Sequence, residues 1–257
     1  MYSKINEKAI KEWWDSASEY YQEEISADKM VDVQYGPFAS SEKKLKLLGN
    51  VKGKKVLELG CGGGQVSISL AKKGAICTGI DISANQIRIA EKNAKKENVN
   101  VKFLQIPFSR LYKLKQEKFN IVIGVMSLQY CTDLKSLIKN IKDLLVNNGI
   151  FVFSIEHPFY LLIDPNDLKI TESYFGSGLV IKREKWPDGS THYFNYYNHK
   201  ISDIINLIID SDLRLERVIE PFEREDKIWG AGYRRALVNK IAPTIIFKCK
   251  KINSNKN

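Results

Sequence analysis

The chain is short of the residues that bind metals and form cross-links. Its 257 residues include three histidines, His157, His192 and His199, and four cysteines, Cys61, Cys77, Cys131 and Cys249. No two cysteines form a C-x-x-C pair, and the histidines lack the spacing of helical metal ligands. Neither a metal site nor a disulfide framework is therefore expected. The cysteines read as small buried thiols, three of them within or beside predicted strands. No apolar run reaches the roughly 18 residues that a transmembrane helix needs. The N-terminus, MYSKINEKAIKEWWD, has no apolar signal core. The expected compartment is the cytoplasm, with no membrane partner.

Acidic residues are also in the minority. Forty Lys and Arg against thirty Asp and Glu give a net charge of +10. Such a balance can serve nucleic acid or an anionic surface. Here the lysines lie in scattered pairs, such as Lys43-Lys44 and Lys95-Lys96, with few aromatics among them. That pattern reads as a solvated surface, so nucleic acid is not the expected partner. Apolar residues make up 44% of the chain, enough to bury one large core.

The apolar pattern changes period along the chain. Ile5 to Tyr21 places Ile10, Trp13, Trp14, Ala17 and Tyr21 on one helix face. A second helix starts at Ser41 and carries Leu45, Leu47 and Leu48. From Lys55 strands and helices alternate. Strands are expected at Val56–Leu59, Ile76–Ile80, Val101–Ile106, Phe119–Val125 and Ile150–Ile155, and helices at Gln65–Lys73, Ser83–Lys96 and Asp133–Val146. Ser83-x-x-Gln86 has the form of a capping box, and Gly149 is expected to end the last helix. This alternation implies a parallel sheet covered on both faces. Then the rhythm breaks. Leu179–Trp186 and Thr191–Tyr197 flank Pro187-Asp188-Gly189-Ser190, a hairpin signal. Ser202–Asp210 is helical, and Leu213–Ile219 and Thr244–Lys250 read as closing strands. Glu220 to Pro243 reads as irregular.

The segment VLELGCGGG, Val56 to Gly64, carries the chemistry. A loop leaving a strand must turn sharply into a helix. Glycines permit the turn and let a ligand approach the backbone closely. A dinucleotide loop wants G-x-G-x-x-G, but position 65 is Gln65. The G-x-x-x-x-G-K-[ST] phosphate loop is absent too. The ligand can be a diphosphate nucleotide or a nucleoside with an amino-acid tail. Asp81, 21 residues after Gly60, ends the next strand, where a carboxylate can accept both hydroxyls of a ribose.

VLELGCGGG, then GIDIS, then FNIVIGVMSLQY, resembles the motif series of class I S-adenosylmethionine-dependent methyltransferases. The resemblance implies an α/β fold with a Rossmann-like, seven-stranded, mostly parallel sheet and helices on both faces. An N-terminal helical cap (1–50) would precede a methyltransferase domain (51–250), with a β-hairpin insertion at 156–200 over the substrate and a disordered tail at 251–257. S-adenosylmethionine is the implied cofactor. Gly60, Cys61 and Gly62 would line its methionine part, and Glu58 would hold the amino group. Asp81 would bind the ribose and Ile82 would pack on the adenine, with Gln86 in the same pocket. Val125 and Met126 would lie near the amine and the methyl group. Trp14-Asp15 and Tyr21 resemble the W-D-x-x-A-x-x-Y element of small-molecule methyltransferases, with Tyr21 or Tyr20 closing over the cofactor.

Two departures bear on the pocket and the acceptor. Where family members often have G-D-A, this chain has Gln105-Ile106-Pro107-Phe108-Ser109. Proline replaces the Asp that would hold the adenine amine, leaving backbone groups, Ser109, or apolar contact with Ile82 and Phe108. The fourth strand lacks the [DN]-P-P-[YF] of DNA amine methyltransferases and the Pro-Cys of RNA cytosine methyltransferases. The fifth ends S-x-E-H-P, and His157 there is the expected general base. His192, Tyr193, Tyr197, Trp229 and Tyr233 are lid candidates. The favoured reading is transfer to a small molecule by a monomer or homodimer. An RNA or protein methyltransferase, a nucleotide-dependent oxidoreductase and a non-catalytic S-adenosylmethionine-binding protein are the alternatives.

Overall fold

The computed structural model describes residues 7–24, 31–176, 178–185, 189, 191–226 and 233–252, with only the backbone of residues 24, 182–185 and 192–194. Seven strands form one sheet: β1 (Lys55–Leu59), β2 (Ile76–Asp81), β3 (Val101–Gln105), β4 (Phe119–Val125), β5 (Leu145–Glu156), β8 (Leu213–Ile219) and β9 (Thr244–Lys251). Their order is β3-β2-β1-β4-β5-β9-β8, parallel from β3 through β5, with β9 antiparallel to both of its neighbours. Strand order reverses between β1 and β4. Connections leave in opposite directions there, which opens a crevice at the carboxyl edge of the sheet.

Alternate residues of each strand supply the two faces. Leu57, Leu59, Val122, Phe151, Phe153 and Phe247 build one core with Leu137 and Ile141 of α5 (Leu134–Leu144) and Ile204 and Ile208 of α6 (Ile201–Ile209). Val56, Ile121, Ile123, Val152 and Ile246 face the other way, onto Val66 and Leu70 of α3 (Gln65–Lys72). The same core takes Tyr35, Leu47 and Leu48 from the segment before β1. The remaining helices are α1 (Glu7–Glu24), α2 (Glu42–Leu45), α4 (Ala84–Lys96) and α7 (Arg235–Val238). β6 (Gly178–Lys185) and β7 (Thr191–Asn198) pair as a separate hairpin at the predicted place.

Three local expectations are corrected. Helix α5 ends at Leu144, and the strand begins at once, so Gly149 lies within β5 instead of terminating a helix. Pairing with β4 starts at Phe119–Leu145 and shifts register before Ile121–Ile150, so an irregularity absorbs the intervening residues. The second N-terminal helix is a single turn, because Lys46 is left-handed at φ 53°. The stretch 220–243 is not wholly irregular, since it contains α7. Lys251 still belongs to β9, and 253–257 lie outside the described residues.

One buried carboxylate closes the α2 turn. Glu42 accepts the N–H groups of Leu47 and Leu48 at 2.9 and 2.8 Å and the hydroxyl of Tyr35 at 2.6 Å. All three donors belong to buried residues. Burial, and next the Glu42 charge, push the Tyr35 hydroxyl well above its ordinary pKa, so it remains a donor. Replacing Glu42 with Ala orphans all three donors, and should cost about 3 kcal/mol or more. Urea unfolding of Glu42→Ala should show that loss, while Glu42→Gln keeps part of it.

Candidate active site

The glycine loop turns at the reversal point of the sheet. Gly60, Gly62 and Gly64 have φ values of 64°, 50° and 82°, in the left-handed region. At Gly60 a side chain is excluded twice, since a Cβ would lie 2.5 Å from Ser127 Cβ on the loop after β4. Ser127 Oγ donates to the Leu59 carbonyl at 2.7 Å, which holds the β1 and β4 loops together. Met126 beside it is left-handed at φ 51°, a conformation that costs energy for a non-glycine residue. Its N–H donates to the Ser154 carbonyl at 3.0 Å.

Asp81 organises the loop from the next strand. One carboxylate oxygen accepts the Gly62 N–H and the other the Ser83 N–H, both at 2.9 Å. Ser83 Oγ in turn accepts the Gln86 N–H at 3.1 Å and caps α4. This is half of the expected capping box, because the Gln86 side chain turns to Gln22 instead. Burial pushes Asp81 up to about 6; the Ser83, Gly62 and Ile82 N–H groups oppose it, and the Asp15 charge adds to it. Burial also pushes Glu58 up to about 8, against its hydrogen bond from the Ser67 N–H at 2.8 Å and with the help of Asp81. Both carboxyls keep protons that they would release on unfolding. Their contribution to stability is complete below about pH 4, and is lost as pH rises through about 6 for Asp81 and about 8 for Glu58.

A cavity of about 320 Å³ lies over this loop. Trp14, Tyr21, Glu58, Gly60, Cys61, Gly62, Asp81, Ile82, Gln86, Phe108, Val125 and Met126 all line it, so the twelve residues expected to bind the cofactor converge on one space. Tyr21, not the exposed Tyr20, is the lining tyrosine. Trp14 meets Tyr21 and Tyr130 edge-on, at 5.2 and 5.4 Å between ring centres. Ser109 lines the cavity too, but its hydroxyl and N–H both go to Glu7, at 2.7 and 3.1 Å.

Helix α1 is latched over the loop by residues whose roles were not foreseen. Asp15 accepts the Ser83 hydroxyl at 2.6 Å, and its carbonyl accepts from the Asn85 amide at 2.7 Å. The Gln22 amide donates to Gln86 at 2.9 Å and accepts from Gln65. Asp15 stood in the sequence one position from Trp14. Gln22 carried no signal, because a neutral amide at a helix surface is ordinary, and Gln65 was marked only as standing where a dinucleotide loop has its third glycine.

His157, the expected base, does not line this cavity. It is buried against β8's end, where its Nε2 lies 2.9 Å from a Glu220 oxygen and its Nδ1 accepts the Phe159 N–H at 3.2 Å. An accepting Nδ1 requires the proton on Nε2, so the ring donates to Glu220. The residue lines a separate, open depression with Phe159, Glu220, Pro221 and Phe222. Glu220, one residue past the end of β8, supplies the partner that holds the ring there. The side chains of His192 and Tyr193, and all of Trp229, lie outside the described residues.

A family profile described as a methyltransferase domain matches residues 50–176. A ubiquinone biosynthesis O-methyltransferase of Pasteurella multocida is 33% identical over 58% of this chain and 61% of its own length. The chain thus spans about three-fifths of that curated relative. A Haemophilus influenzae protein known only as uncharacterized is 26% identical over 81% of this chain and 85% of its own. Among solved structures, an S-adenosylmethionine-dependent methyltransferase from Mesorhizobium loti superposes with a TM-score of 0.64 at 21% identity, covering 80% of this chain and 94% of that one. Residues 50–176 are thus similar to a methyltransferase domain, and the chain shares the fold of solved S-adenosylmethionine-dependent methyltransferases.

Two outcomes test the site. Asp15→Ala should release α1, seen as faster proteolysis within residues 7–24 while the sheet unfolds at an unchanged temperature. His157→Ala should lower thermal stability yet leave the affinity for S-adenosylhomocysteine unchanged in calorimetry.

Proposed function

We propose that the chain transfers a methyl group from S-adenosylmethionine to a small-molecule acceptor by in-line displacement. The observation that carries this reading is the cavity between the glycine loop, Asp81 and Met126. Its residues fit the donor. Gly60 and Gly62 leave bare backbone along one wall, Asp81 offers a carboxylate to the ribose, and Glu58 sits below the methionine end. Pro107 has no N–H to give the adenine, and Ser109 is already engaged by Glu7. Adenine is then held mainly by apolar contact with Ile82, Ile106 and Phe108, which all line the cavity.

The bound donor supplies a methyl group already activated by its sulfonium charge. The protein's part is alignment and dryness. Met126, held in its left-handed turn, and Tyr21 wall the methyl end. Trp14 and Tyr130 close the roof, and the Asp15 and Gln22 bonds keep α1 down. This resembles a substrate-sized enclosure that excludes water, not an open track for a nucleic-acid strand. The four cysteines are all free and buried, which suits a reducing compartment such as the cytoplasm. No helix among the described residues is long and apolar enough to cross a membrane.

Donor binding favours the ionised forms of Glu58 and Asp81, whose charges meet an ammonium and two hydroxyls. Near pH 7 binding should therefore expel protons, mainly from Glu58, and affinity should fall as pH drops through about 6, where Asp81 gains its proton. Calorimetric titration with S-adenosylhomocysteine in buffers of different ionisation enthalpy measures the release. Glu58→Gln should abolish it. Asp81→Asn should weaken binding about 10- to 100-fold, as expected for lost hydrogen bonds to a charged acceptor. No binding by the wild type would defeat the proposal.

A further inference from the structure

Helix α1 lies along the length of the donor cavity. Glu7, Ile10, Trp14 and Tyr21 line it, at the spacing of one helix face. From Glu7 to Tyr21 the helix advances about 21 Å. Its carboxyl end stands over the glycine loop, where Gln22 Nε2 would lie 3.5 Å from a Cβ on Gly62. Its other end stands over the 3-10 turn that follows β3, Phe108–Leu114. There the Glu7 carboxylate accepts the Ser109 N–H at 3.1 Å with one oxygen and the Ser109 hydroxyl at 2.7 Å with the other. The methionine part of the donor belongs with Glu58 and the glycine loop, and the base with Ile82, Ile106 and Phe108. Glu7 therefore stands beyond the base, at the end of the cavity away from the methionine.

Adenine carries its amine on the edge away from the sugar, and an amine needs an acceptor. The backbone acceptors at the strand exits are already engaged. The Asp81 carbonyl takes the Ile106 N–H at 2.9 Å, the Ile82 carbonyl takes the Gln105 amide at 3.1 Å, and the Pro107 carbonyl takes the Arg110 N–H at 2.9 Å. Pro107 has no polar side chain, and the Ser109 hydroxyl gives its proton to Glu7. A carboxylate oxygen can accept more than one hydrogen bond, so each Glu7 oxygen keeps room for a further donor. The other carboxylate at this end, Asp133, turns an oxygen to the Ser136 N–H at 3.0 Å and caps α5. The Glu7 charge is also felt inside the cavity. Burial, and then the Asp133 and Glu7 charges, push the Cys131 thiol up to about 12, and Cys131 lines the same space.

We propose that Glu7 accepts the exocyclic amine of the donor's adenine, and so selects an amino purine over an oxo purine. The proposal rests on the donor reading above. Apolar contact with Ile82, Ile106 and Phe108 supplies hold, but it does not separate two bases of nearly the same shape. A carboxylate does separate them. It attracts the N–H of an amine and repels a carbonyl oxygen at the same position. The acid that reads the base then comes from the covering helix, 102 residues along the chain from Ser109, and not from the loop after β3. Choice of the base and closure of α1 share one side chain.

Calorimetric titration of the full chain with S-adenosylhomocysteine and with S-inosylhomocysteine, its 6-oxo counterpart, tests this. The wild type should bind the adenosyl compound about tenfold or more tighter, as a hydrogen bond to a charged acceptor implies. Glu7→Gln keeps the shape of the side chain and an acceptor for Ser109, yet its amide can either accept from an amine or donate to an oxo group. It should bring the two affinities together. Glu7→Ala, which bonds neither group, should lose the preference as well. A carboxylate that served only to hold Ser109 would, on replacement, weaken both compounds alike and leave their ratio unchanged. That result, or equal binding of the two compounds by the wild type, overturns the proposal. Failure of the wild type to bind S-adenosylhomocysteine overturns the donor reading instead, so the two failures are distinguishable.

Discussion

The Asp81 carboxylate is the interaction on which the rest of the site depends. It accepts the Gly62 N–H on one side and the Ser83 N–H on the other, so one buried charge fixes both the glycine loop and the start of α4. Ser83, thus placed, caps α4 and reaches Asp15 of α1. A carboxylate in that position is costly, and its raised pKa measures the cost. The arrangement persists because donors surround the charge and a ligand's hydroxyls can add to them.

The glycine loop illustrates a second constraint, imposed by space. The parallel strands β1 and β4 bring their exit loops side by side, and Ser127 packs where a Gly60 side chain would be. The left-handed Met126 belongs to the same crowding. Left-handed backbone at two adjoining loop tips, free of strain at the glycines and strained at Met126, lies in a crevice made by the reversal of strand order. Helix α1 covers it through neutral amides and one carboxylate, and hydrogen bonds of that kind can open without exposing a large apolar face.

The alternation of apolar runs was enough to read the parallel sheet, and the G-x-G-x-G loop with Asp81 was enough to read where a ligand would lie at the strand exits. These are properties of local spacing, and local spacing survives folding. Most of the twelve lining residues came instead with the resemblance to class I S-adenosylmethionine-dependent methyltransferases. The end of α5 was misread because a strand pairing, Phe119 with Leu145, outweighed the glycine signal at Gly149. Gln22 was invisible, and Gln65 was legible only as the residue in place of a third glycine, because an amide acquires its bonding role only from its partner. His157 was legible as a reactive side chain at a strand end, but its direction was not. The sequence alone determined that His157 stands at the carboxyl edge of the sheet. Only the tertiary structure decided where its side chain goes, because Glu220, just past β8, lies within hydrogen-bond distance of the ring and holds it outside the cavity over the glycine loop.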